Sequence, residues 1–138
     1  MNFGILGAGS IAGTMAQTIR MLNESGCKDI TLYAVAARDL SRAQAFAEQY
    51  GVQKAFGSYE EMLKDPALDL VYIATPHSHH YQHIKLCAAQ GKHVLCEKAF
   101  TVNARQAEEA LRYANAQGVL LTEAIWTRYQ PMRQMIQQ

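Results

Sequence analysis

The stretch Gly7-Ala8-Gly9-Ser10-Ile11-Ala12 stands between a short apolar run, Phe3 to Leu6, and a segment of helical periodicity. It therefore reads as a turn from a strand into a helix. At such a turn the first backbone N–H groups of the helix, and its positive end, converge on one point where a diphosphate can sit. Each small residue then has a task. Gly7 permits the tight turn, Gly9 lets a phosphate approach the backbone with no side chain between, and Ala12 lets the helix pack closely on the strand. A lone Gly-x-Gly-x-x-Ala match also fits a merely tight turn or a methyltransferase nucleotide site, so the rest of the chain must discriminate.

Working outward, short apolar runs alternate with helical segments, the pattern of parallel strands joined by helical crossovers. The strands are expected at Phe3 to Leu6, Ile30 to Ala36, Leu70 to Ala74, His93 to Cys96 and Val119 to Thr122. None has the alternation of a one-sided sheet, which predicts burial on both faces. Three sets recur at three- and four-residue steps and predict helix faces: Ile11, Met15, Ile19 and Leu22; Ala43, Phe46, Ala47 and Tyr50; Ala104, Ala107, Leu111 and Ala114. Gly26, Gly51, Gly91 and Gly118 follow helical stretches, where a left-handed cap favours glycine. A further helix is expected to begin after Pro131 in the polar tail from Tyr129 to Gln138. The fold class predicted is α/β, a doubly wound parallel sheet.

Bulk properties narrow the function. The 138 residues, 49% hydrophobic, suffice for one ordinary core. A net charge of +1 with scattered lysines and arginines argues against nucleic acid as a partner. Cys27, Cys87 and Cys96 are an odd number with no repeated short spacing, so neither a disulfide framework nor a four-ligand zinc site is expected. No apolar run is long enough to span a bilayer, and Met1-Asn2 leads directly into a strand, which predicts a cytoplasmic protein.

The end of the second strand bears on the choice between NAD and NADP. A carboxylate there bonds the ribose 2′-OH and repels a 2′-phosphate. This chain reads Ala36-Ala37-Arg38-Asp39. With Ala37 in the acidic position, Arg38 and Arg42 can clamp a 2′-phosphate, which favours NADP while leaving NAD possible. The competing reading makes both arginines solvated charges at a helix start. Asp39 can face the ribose, but more naturally caps that helix with Ser41 nearby.

Two further segments carry a family resemblance: Ala74-Thr75-Pro76-His77-Ser78-His79-His80 and Gly91-Lys92-His93-Val94-Leu95-Cys96-Glu97-Lys98. With the glycine turn, their order and spacing resemble the Gfo/Idh/MocA oxidoreductase family over nearly the whole chain. The stretch from Glu123 to Pro131 is similar to its dihydrodiol and sugar dehydrogenase branch. The resemblance implies a Rossmann fold at residues 1–122, with 123–138 beginning the connection to a second α+β domain absent here. It implies a cofactor site drawn from Gly7, Gly9, Ser10, Ile11, Arg38, Arg42, Thr75, Pro76, His77, His80, Glu97, Lys98, Trp126 and Arg128, with Lys98 catalytic. The expected reaction is hydride transfer between NADP and a secondary hydroxyl of a small-molecule sugar, polyol or trans-dihydrodiol. The full-length protein is expected to be a homo-oligomer, and this chain alone to bind cofactor without competent turnover. The alternative is a stand-alone dinucleotide-binding regulatory module.

Lys98 suits the role because a cation at the carboxyl edge of a doubly wound sheet can stabilise a developing alkoxide. The competing reading is a snorkelling lysine at a strand end. Two departures from the family pattern stand out. Ala99 replaces a proline, predicting a trans or more mobile peptide after Lys98, and His77 replaces an asparagine, adding a pH-dependent group. His79 and His83 share a helix face at metal-ligand spacing, but no third ligand converges, and no metal site is expected. His80 is read as the turn histidine that holds its loop. Trp126 and Arg128 follow the last strand as candidate contacts, against the reading of Trp126 as a core residue.

Overall fold

The computed structural model describes residues 1–130; the helix expected after Pro131 lies outside the described residues. The strands are β1 (Asn2–Leu6), β2 (Thr31–Ala36), β3 (Lys54–Phe56), β4 (Leu70–Ile73), β5 (His93–Glu97) and β6 (Leu121–Ala124). The helices are α1 (Ser10–Glu24), α2 (Leu40–Tyr50), α3 (Tyr59–Leu63), α4 (His80–Ala89) and α5 (Ala104–Ala116), with 3₁₀ turns at His77–His79 and Trp126–Tyr129. All pairings are parallel, in the order β3-β2-β1-β4-β5-β6. This is the doubly wound arrangement predicted. Its order reverses between β1 and β4, and a crevice opens there beyond the strand carboxyl ends.

The core lies in two layers. Ala12, Ala16 and Ile19 of α1 and Ala43 and Phe46 of α2 pack with Ile5, Val35 and Tyr72 on one face. On the other, Met62, Leu63, Ile84, Cys87 and Ala110 pack with Leu6, Val71, Ile73 and Val94. Full burial of each large aliphatic side chain contributes roughly 1.5–3 kcal/mol, so the central strands anchor the site above them.

Several boundaries differ from the sequence expectations. β3 was not anticipated, since three residues carry too little pattern to register. The last strand starts at Leu121, not Val119, because the Val119 N–H bonds Ala114 O in the cap of α5 and pairing begins with Val94 opposite Leu121. Helix α1 buries Ala12, Gly13, Ala16 and Ile19, leaving Ile11 and Leu22 exposed, because small residues allow the closest approach to the sheet. In α5, Ala110 and Ala114 are buried and Leu111 is exposed, for the same reason. Burial on both faces holds for β1, β2 and β4, whereas β5 alternates and the edge strand β6 is mostly part-buried, with only Thr122 exposed. The four glycines expected at helix ends all have positive φ.

Candidate functional site

A cleft of about 550 Å³ opens at the reversal point. It is floored by Gly7, Gly9, Ser10 and Ile11 and walled by Arg38 and Arg42 on one side and by Tyr59, Thr75, Pro76, His77, His79 and His83 on the other.

The turn is held by a hydrogen bond from Gly7 N–H to Ala36 O of 2.8 Å, which ties β1 to β2 as the chain leaves the sheet. Gly7 has φ +105°, and a Cβ there would lie 3.1 Å from Ala74 O. Both the conformation and the close approach of β4 require glycine. Gly9 faces open space, with nothing within 4 Å of where its Cβ would be. It occupies the N-cap position of α1 and offers no side chain to the first-turn N–H groups. By contrast α2, α3 and α5 are capped by the side chains of Asp39, Ser58 and Asn103. The N-terminus of α1, with no acidic residue in its first turn, thus presents unsatisfied donors and a positive dipole end to the cleft.

Arg38 and Arg42 add two full positive charges, and among the described residues no carboxylate lines the cleft. Asp39 is directed away into capping, accepting from Ser41 N–H at 2.9 Å and Ser41 Oγ at 2.8 Å. These bonds hold its carboxyl below the ordinary range. An anionic ligand fits this electrostatic arrangement.

The opposite wall is built on Thr75, which is buried, its Oγ1 lying 2.8 Å from His83 Nδ1. Burial, followed by the neighbouring His79 and His80, pushes the His83 imidazole down to about 4, so it is neutral at physiological pH. Tyr59 packs edge-on against His83 and His79 stacks on it, at 5.0 and 5.6 Å between ring centroids. Periodicity gave no sign of Tyr59, because it starts a five-residue helix too short for a pattern. No group of three or more metal-ligating side chains occurs among the described residues.

The remaining predicted residues lie outside the cleft lining. His80 is fully buried, and its two ring nitrogens face Ala99 O at 2.8 Å and Thr75 O at 2.9 Å. It joins the turn after β4 to the turn after β5, with both ring nitrogens facing backbone carbonyls. Glu97 accepts from the Tyr72 hydroxyl, itself buried, and from Lys98 N–H at 3.1 Å. Burial and then this bond push the Tyr72 phenol well above its usual range. Lys98 is exposed at the carboxyl end of β5, and the Lys98–Ala99 peptide is cis, in place of the trans or more mobile linkage expected. The other lysine of that motif, Lys92, is buried and donates to Asp65 O and Leu68 O at 2.7 and 2.9 Å, a structural duty. Trp126, 65% exposed, is not a core residue, and Arg128 is exposed beside it in the turn after β6.

The strand order, the uncapped glycine turn and the arginine-flanked cleft define a dinucleotide-binding domain of the Rossmann class. A family model described as an oxidoreductase family with an NAD-binding Rossmann fold matches residues 1–125, and the chain belongs to this family, the Gfo/Idh/MocA oxidoreductases. It is 44% identical over 138 residues to trans-1,2-dihydrobenzene-1,2-diol dehydrogenase of Mus musculus, covering 100% of this chain and 40% of that protein. It is 42% identical over 140 residues to D-xylose 1-dehydrogenase (NADP(+)) of Hypocrea jecorina, covering 96% of this chain and 36% of the relative. Among solved structures, a 3-ketoreductase from Actinomadura kijaniata in complex with NADP superposes with TM-score 0.89 at 27% identity, over 99% of this chain and 42% of that one. An NAD-binding oxidoreductase from Klebsiella pneumoniae gives TM-score 0.83 at 35% identity, over 90% and 34%. The chain thus spans about 40% of the length of the curated relatives it matches. No helix among the described residues is long and apolar enough to cross a membrane.

Proposed function

We propose that this chain binds NADP(H) as the cofactor side of an oxidoreductase acting on the secondary hydroxyl of a sugar, polyol or trans-dihydrodiol. The observation that carries the reading is the pair Arg38 and Arg42 in a cleft that no carboxylate among the described residues lines. A 2′-phosphate gains charge-assisted hydrogen bonds from guanidinium groups, whereas an acidic residue at position 37 would repel it. The N-terminal donors of α1, reached through Gly9, Ser10 and Ile11, would hold the diphosphate. Thr75, Pro76 and His77 would border the nicotinamide half.

The nicotinamide ring, when bound, supplies the hydride acceptor or donor. Lys98 would place its ammonium by the reacting oxygen, stabilising the alkoxide left when the hydroxyl loses its proton to a general base, from which carbon then gives up hydride. Trp126 and Arg128, past the end of β6, would border the substrate side. The names of the similar dihydrodiol and xylose dehydrogenases support the substrate class. Turnover, and any homo-oligomer, are assigned to a protein of the relatives' length, working in the cytoplasm.

Parallel calorimetric titration with NADPH and NADH tests the reading. Tighter binding of NADPH is expected, and tighter binding of NADH would remove the assigned role of the two arginines.

A further inference from the structure

The turn that carries Lys98 is held at three consecutive residues by side chains from three separate elements. Lys98 N–H donates to Glu97 Oε2 at 3.1 Å from the end of β5. Ala99 O faces His80 Nδ1 at 2.8 Å from α4. Phe100 N–H donates to Glu123 Oε1 at 2.8 Å from β6. Alanine at position 99 leaves φ unrestrained, so the path of this turn depends on such outside contacts.

Of these groups, Glu123 is the one absent from the cofactor site that the family resemblance implies. It sits opposite Cys96 in the β5–β6 register, so it shares a sheet face with a buried thiol in an otherwise apolar layer. A carboxylate placed there is costly unless it is hydrogen-bonded, and the Phe100 N–H supplies such a bond. Its nearness is felt by Cys96, whose thiol is pushed up by burial first and then by Glu123 and Glu97. The Phe100 ring packs against the same core layer, so a fixed Phe100 backbone joins the turn to the body of the domain.

We propose that Glu123 is a positioning residue for Lys98: by accepting the Phe100 N–H it fixes the backbone of the turn that places the Lys98 ammonium at the sheet edge. The assignment rests on the reading that Lys98 acts in hydride transfer. Glu123 touches neither cofactor nor substrate and acts through the backbone.

The test compares Glu123→Met, Glu123→Gln and Lys98→Met in the full-length protein, with NADP and either D-xylose or trans-1,2-dihydrobenzene-1,2-diol as substrate. Amide exchange of Phe100 is followed in this chain without cofactor. Glu123→Met should lower kcat at least tenfold, leave the NADPH dissociation constant within twofold, and speed Phe100 exchange at least tenfold while the Gly7 amide is unaffected. Glu123→Gln, whose amide oxygen still accepts, should keep most of kcat. Unchanged kcat or unchanged Phe100 exchange in Glu123→Met overturns the assignment. So does a glutamine variant as impaired as the methionine one. Should Glu123→Met fail to fold, Glu123→Gln decides, and a kcat below a tenth of wild type overturns it. Unaltered turnover in Lys98→Met overturns the functional reading and the proposal together, whereas lost turnover there beside an active Glu123→Met defeats the Glu123 assignment alone.

Discussion

Thr75 Oγ1 and His83 Nδ1 lie 2.8 Å apart, joining the turn after β4 to the first turns of α4 on the wall of the cleft. The Thr75 hydroxyl can pair with either protonation state of the ring, but burial holds the His83 pKa near 4, below its ordinary value of 6.5. The unfolded chain therefore takes up this proton first as pH falls. The associated stability is fully present above about pH 6.5 and is lost as pH drops toward 4. Because His83 is only half-buried, the loss is discounted to roughly 1 kcal/mol. Urea midpoints measured from pH 7 to pH 4 should fall in that window, and His83→Gln should flatten the slope there. A slope confined below pH 4 would instead implicate the carboxylates of Asp39 and Asp65, which are held below their ordinary 3.8.

Replacing Arg38 and Arg42 together by alanine removes both guanidinium groups from the cleft. Charge-assisted hydrogen bonds contribute about 1.5–3 kcal/mol each, so losing both should weaken NADPH affinity by roughly a hundred- to ten-thousandfold. NADH affinity should change little. Equal weakening of both cofactors, measured by calorimetry, would contradict a role confined to the 2′-phosphate.

Gly7→Ala meets two obstacles, the φ of +105° and the carbonyl of Ala74 at 3.1 Å. Strain of this kind costs on the order of 1–3 kcal/mol. The expected result is a lower urea midpoint and weaker binding of either dinucleotide, since β1 and β4 must part where the diphosphate would rest. Gly9→Ala, with open space around it, should keep stability and lose binding only.

Thiol chemistry should sort the cysteines by burial. Cys87 and Cys96 are buried, and burial pushes both thiols up, that of Cys96 to about 12, so neither supplies thiolate near neutrality. Only the partly exposed Cys27 should react with an aromatic disulfide reagent at pH 8, and all three should react in denaturant. Fast labelling of a second thiol in the native protein would contradict this packing.

The strand-to-helix turn at Gly7 was legible in the sequence because its requirement is local: a positive φ, a missing side chain and a small residue one turn into the helix. The alternation of strands and helices was legible for the same reason, and with it the sheet class. Arg38 and Arg42 stood out because they follow the end of the second strand, which its own apolar run marks.

The sequence by itself thus determined the α/β class, the strand-to-helix geometry of the glycine turn and the absence of a carboxylate at Ala37, all set by neighbours along the chain. Tertiary structure alone decided which side chains meet across elements. Tyr59 and His83 reach one cleft wall from α3 and α4, His80 turns inward between two loops, and Glu123 finds Phe100 across 23 residues. These placements follow from the parallel register of the sheet and the close packing of helices through small residues, and no local periodicity encodes either.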